Sequence, residues 1–113
     1  MTIWERVYNA LVTLGLPLAA VVYRAASGAA LPATFLTYQL IDSTPELGLD
    51  DDEALRSHRV QVTAWCTGGF VSLPDVAAAM TAAGFTRGPT HELGLDGEHY
   101  GLAMEFLYLE DEL

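Results

Sequence analysis

Between Ser57 and Gly84 the chain passes from a period of two to a capped helix across a glycine corner, and this succession restricts the fold more than any other stretch. From Arg59 to Cys66 the side chains alternate, with Val60, Val62, Ala64 and Cys66 on one parity and Arg59, Gln61, Thr63 and Trp65 on the other. That pattern is a half-buried strand. Thr67, Gly68 and Gly69 end it. Ser72 followed three residues later by Asp75, with Pro74 in the first turn, reads as a helix start, and Gly84 as its stop. A strand feeding into a helix that must cover its apolar parity defines one core, and the other segments have to fit against it.

Thr2 and Glu5 form a second capping box, ahead of Ile3, Val7, Leu11 and Leu14 at helical spacing with Trp4, Tyr8 and Val12 flanking them. Gly15, with Pro17 beyond, ends this first helix. Residues 20–24, AVVYR, suit a short strand, and Ala25–Pro32 a small-residue connection. Ala33–Asp42 is a clearer strand, with Leu36, Tyr38 and Leu40 opposed by Thr37 and Gln39. Residues 43–56 read as a long loop joining two hairpin-paired strands; it holds Pro45, Gly48 and the acidic run Asp50, Asp51, Asp52, Glu53. Loops of that length inside compact domains tend to be functional or mobile. Residues 85–97 read as another loop. His99–Glu110 is a final strand with Tyr100, Leu102, Met104, Phe106 and Tyr108 on one face. The echo of TPELGLD (44–50) in THELGLD (90–96) fits either a duplicated loop-plus-strand unit or convergence on similar acidic loops. The expectation is a single α+β domain over residues 1–113, in the order α-β-β-β-α-β. Its sheet is antiparallel and four-stranded, with both helices on one face.

Composition narrows the function. Charged residues are 18% and hydrophobic ones 51%, a surface that is hard to solvate alone and suits coverage by other subunits. All five basic residues are arginine, which tolerates interfaces better than lysine, and the net charge of −10 disfavours tight binding of a phosphate backbone. The single cysteine, Cys66, excludes an internal disulfide and a cysteine-built zinc site, and its strand parity makes it a small core residue. The apolar run 10–23 is too short to span a membrane and is broken by Gly15 and Pro17; Glu5 beside Arg6 argues against a signal peptide.

No constellation of nucleophile, base and phosphate-cradling glycines stands out around His58, His91 and His99, so neither an enzyme nor a cofactor is expected. The contiguous acids at 50–53 lack the alternate spacing and central glycine of a calcium loop, so no metal is expected and a solvated or partner-facing loop is the reading. Trp65, on the polar parity and close to Phe70, either covers its own sheet or marks a contact with another protein. The candidate interface set is therefore Asp50, Asp51, Asp52, Glu53, Arg59, Trp65 and Phe70.

In this order the chain resembles the tail-terminator (tail completion, head-tail joining) proteins of long-tailed bacteriophages. The resemblance is carried by the short N-terminal helix and four further segments: VVYRAASGAALPATFLTYQLI (21–41), HRVQVTAW (58–65), DVAAAMTAAG (75–84) and GLAMEFLYLE (101–110). The acidic run 50–53 departs from the family's pattern. The resemblance implies a structural virion protein, assembled in the host cytoplasm, whose hexameric ring caps the head-proximal end of the tail tube and offers a docking surface to the head. Its partners would be further copies of itself, the tail tube protein and a head-completion or neck protein, with no membrane. DNA would pass through the lumen without being held: six copies at −10 each carry −60, a non-stick lining acting over about 8 Å at physiological salt. A neck or head-completion connector, and a small acidic protein-binding module, are the alternative expectations.

Overall fold

The computed structural model describes residues 1–24, 30–47, 53–68, 73 and 75–111. Helix α1 (Ile3–Val12) starts as its capping box requires: Glu5 N donates to Thr2 Oγ1 at 3.2 Å, and Thr2 N donates to Glu5 Oε1 at 3.0 Å. It buries Ile3, Val7, Ala10 and Leu11. The Thr2 backbone N–H, and after it the Thr2 side chain, hold the Glu5 carboxyl below its ordinary range. With the folded pKa below the unfolded one, this contribution is complete above the unfolded value and is lost as pH falls through the folded value. Thr2→Ala is expected to cost about 1 kcal/mol in urea denaturation at neutral pH.

The strands are β1 (Leu18–Ala20), β2 (Thr34–Leu47), β3 (Glu53–Cys66), β4 (Thr86–Asp96) and β5 (His99–Asp111), with helix α2 (Val76–Ala82) between β3 and β4. The architecture is α+β, as expected, but the sheet is five-stranded and mixed, in the order β1-β2-β3-β5-β4. β1 runs parallel to β2, pairing Leu18 with Leu36 and Ala20 with Tyr38. The expected strand at 20–24 is displaced because Val21, at φ +64°, turns the chain out of the ladder. A parallel pair of consecutive strands requires a crossover between the end of β1 at Ala20 and the start of β2 at Thr34.

The loop expected over 43–56 is largely strand. β2 and β3 form one antiparallel hairpin from Thr34↔Cys66 to Leu47↔Glu53. Pro45 is tolerated within β2 because β1 stops opposite Tyr38, and among the described residues no strand pairs with that side of β2 further on. Residues 85–97, expected as a loop, contain β4, held antiparallel on β5 with register shifts between Arg87 and Thr90 and between Glu92 and Gly94. Gly97, at φ +63°, makes the tight turn into β5. The expected Ser72 cap lies outside the described residues; Asp75 caps α2, its side chain accepting from Ala78 N at 2.9 Å.

One buried cluster joins Val7 and Leu11 of α1, Val76 and Met80 of α2, and Leu36, Val60, Val62, Ala64 and Phe106 of the sheet. Both helices thus draw on the apolar parity of β3, and among the described residues no helix covers the other sheet face. Cys66 is buried and free, as its parity implied. The radius of gyration is 15.6 Å, against about 13 Å for a compact chain of this size, and the long axis measures 55 Å. Fourteen-residue strands at about 3.3 Å per residue span about 46 Å and account for most of that length.

Candidate interface on the open sheet face

The helix-free face carries the second parity of β3, in the order Arg59, Gln61, Thr63, Trp65, beside Phe35 and Thr37 of β2 and Gly101 and Ala103 of β5. Trp65 lies over Gly101 so closely that a Cβ there would sit 2.7 Å from its Cζ3. Its Nε1–H donates to Thr37 Oγ1 at 3.2 Å, and its ring stacks on Phe35 with centroids 6.3 Å apart and planes 21° apart. Tyr23 and His99 also pack on Phe35, each with centroids 5.1 Å away. His99 Nε2 donates to the Pro32 carbonyl at 2.8 Å, which fixes the proton on that nitrogen. Trp65 therefore covers its own sheet on one side and lines an open groove of about 480 Å³ on the other.

The groove's walls come from Val21, Val22 and Leu31, its floor from Phe35 and Trp65, and its rim from the β4–β5 turn with Asp96 and Glu98. It occupies the end of the sheet opposite the β2–β3 connection, because the start of β2, the end of β3 and the β4–β5 turn meet there.

Arg59 stands on the same face about 20 Å away, six residues along the strand. Its Nη2 bonds Asp42 Oδ2 at 3.1 Å and its Nε lies 3.6 Å from Glu105 Oε1. The Arg59–Asp42 pair is nearly half exposed on both sides, so it contributes at most about 1 kcal/mol. Glu53 opens β3; Asp50, Asp51, Asp52 and Phe70 lie outside the described residues. Of the sequence-derived set, Arg59 and Trp65 share a face without forming one patch.

A second apolar surface lies on α1. Trp4, Tyr8 and Val12, four residues apart, make an exposed stripe rotated about 100° from the buried one, and Trp4 leans on Tyr38 at 5.8 Å. The exposed Leu107 and Leu109 add apolar area at the Arg59 end of the open face.

Sequence reading missed one buried polar chain. Ser43 Oγ bonds His58 Nδ1 at 2.7 Å, and His58 Nε2 bonds Glu110 Oε2 at 2.7 Å. The order of residue types matches a nucleophile–base–carboxylate relay, but the residues sit on three adjacent strands beyond Val60, where the hairpin leaves the core cluster. There the bonds pin β2, β3 and β5 and satisfy a buried imidazole. Among the described residues no group of three His, Cys, Asp or Glu side chains could hold a metal ion, and no helix is long and apolar enough to cross a membrane. No protein-family model matches the chain, and no curated protein matches it in sequence.

Proposed function

We propose that the protein is a structural ring subunit of a phage tail, a hexamer by family resemblance, that caps the head-proximal end of the tail tube and presents the surface on which the head docks. The observation that carries this reading is the pair of separate apolar surfaces on one small subunit: the α1 stripe of Trp4, Tyr8 and Val12, and the helix-free sheet face. A closed ring needs a heterologous contact, in which two different surfaces of each subunit meet. Leu107 and Leu109 give one end of the open face an apolar patch that can meet the α1 stripe of a neighbouring copy.

The sheet edges support a face-based contact. β4 is exposed along nearly its whole length, yet Pro89 and two register shifts interrupt it, as in edge strands built to resist pairing with another chain. β1, at the other edge, has three residues. The net charge of −10 per subunit suits a ring through which DNA passes without adhering.

Native mass spectrometry and electron microscopy with purified tail tubes test the reading. The expected result is a ring of defined copy number seated on one end of each tube. A protein that stays monomeric at every concentration and leaves tube ends bare refutes it, and binding to DNA-filled heads in place of tubes reassigns it to the neck.

A further inference from the structure

We propose that the groove beside the β4–β5 turn is a receptor for an extended segment of a different protein, one carrying a large aliphatic or aromatic side chain next to an arginine or lysine. The inference rests on the assembly reading in taking the occupant to be a protein segment, and on the groove for its chemistry. The volume of about 480 Å³ lies within the roughly 300–1,000 Å³ of sites that enclose a ligand, which is ample for one large side chain and its neighbours. The floor and walls are apolar, and the aromatic floor is rigid, since Trp65 is held by Thr37 and Phe35, and Phe35 in turn by Tyr23 and His99. A rigid apolar floor selects an apolar anchor without an ordering cost on the receptor side.

Charge selects the flanks. Asp96 and Glu98 are exposed at the rim, and no arginine or lysine lines the groove. His99 is buried, with its Nε2–H donated to the Pro32 carbonyl. A second copy of this chain is a poor occupant. In sequence its β2–β3 connection holds Asp50, Asp51 and Asp52, its Arg59 is already paired with Asp42 and close to Glu105, and its α1 stripe carries Glu5, so these parts bring acid against acid. Like charges meeting across a contact disfavour it, and opposite charges favour it. The occupant is therefore a distinct, basic partner stacked on the groove end of the subunit.

The test is titration of the ¹⁵N-labelled full chain with three capped pentapeptides, Gly-Arg-Leu-Arg-Gly, Gly-Glu-Leu-Glu-Gly and Gly-Arg-Ser-Arg-Gly. The first is expected to move the Trp65 indole and Gly97 amide signals, the second to bind at least about fivefold more weakly, and the third to leave both signals in place. The double substitution Asp96→Asn with Glu98→Gln should reduce the difference between the first two peptides to less than about twofold. Val22→Glu, at an exposed wall position, should abolish the response while the rest of the spectrum is retained. Equal binding of the acidic and basic peptides, a response centred elsewhere, or no response to the first peptide overturns the proposal. A chain that binds the basic peptide but never caps tubes loses the ring reading and keeps the receptor site. One that caps tubes and ignores the peptide loses the receptor site alone.

Discussion

Phe106→Ala is expected to lower the unfolding free energy by about 3–5 kcal/mol, a large share of the roughly 5–15 kcal/mol that holds a domain of this size together. Phe106 is fully buried, the largest such side chain among the described residues, and stands opposite Val60 in the β3–β5 ladder. Removing its ring deletes contacts in the cluster where both helices meet the sheet, and close packing leaves little room for collapse around the void. The urea midpoint should fall with the slope unchanged, and the melting temperature should drop by roughly 12 °C or more. Leu95→Ala, exposed on the edge strand β4, is the control and should change stability by less than about 0.5 kcal/mol. A loss below about 1 kcal/mol for Phe106→Ala would mean that the core does not centre on this strand.

That core was legible in the sequence because burial imposes a period. Val60, Val62 and Ala64 alternate, Leu102, Met104 and Phe106 alternate, and Ile3, Val7 and Leu11 recur every four residues; each set lies in or against the buried cluster. What could not be read is held by backbone. β4 is exposed along its length, so it has no buried parity, and its glycines and proline read as loop. Only the ladder to β5 makes it a strand. The outer half of the β2–β3 hairpin is likewise defined by its register, and a parallel β1 is invisible to a pattern three residues long.

The same distinction explains the candidate site. Alternation placed Trp65 on the face away from the helices, yet its seat on Gly101 belongs to a strand 36 residues further on. The one available signal was a glycine in a strand otherwise rich in large side chains. Ser43, His58 and Glu110 meet only because three strands set their register, so separations of 15 and 52 residues hid the chain of bonds. The acidic run drew attention in the sequence, but the groove owes its charge to Asp96 and Glu98 at a turn that had read as the end of a loop.

Gly101→Ala is expected to dislodge Trp65 and to disable the open face while leaving the helix side of the core in place. The added Cβ would lie 2.7 Å from Trp65 Cζ3 and 3.1 Å from both Cε3 and Cη2, closer than carbon atoms pack, so the ring must lift. Lifting is costly because the indole is tethered: it loses the bond to Thr37 Oγ1, whose residue is buried, and the stack on Phe35. Overpacking and the lost bond together predict a destabilisation of about 1–3 kcal/mol. Trp65 emission should shift to longer wavelength as the ring enters water, over a constant background from Trp4. Because Trp65 is the floor of the groove, binding of the Gly-Arg-Leu-Arg-Gly peptide should weaken by about tenfold, equivalent to about 1.4 kcal/mol. The diagnostic is a double-mutant cycle. If the damage runs through the ring, Trp65→Ala removes the clash, and Gly101→Ala added to Trp65→Ala should cost less than about 0.5 kcal/mol. An undiminished penalty in that background would place the effect in the β5 backbone and remove Trp65 from the argument.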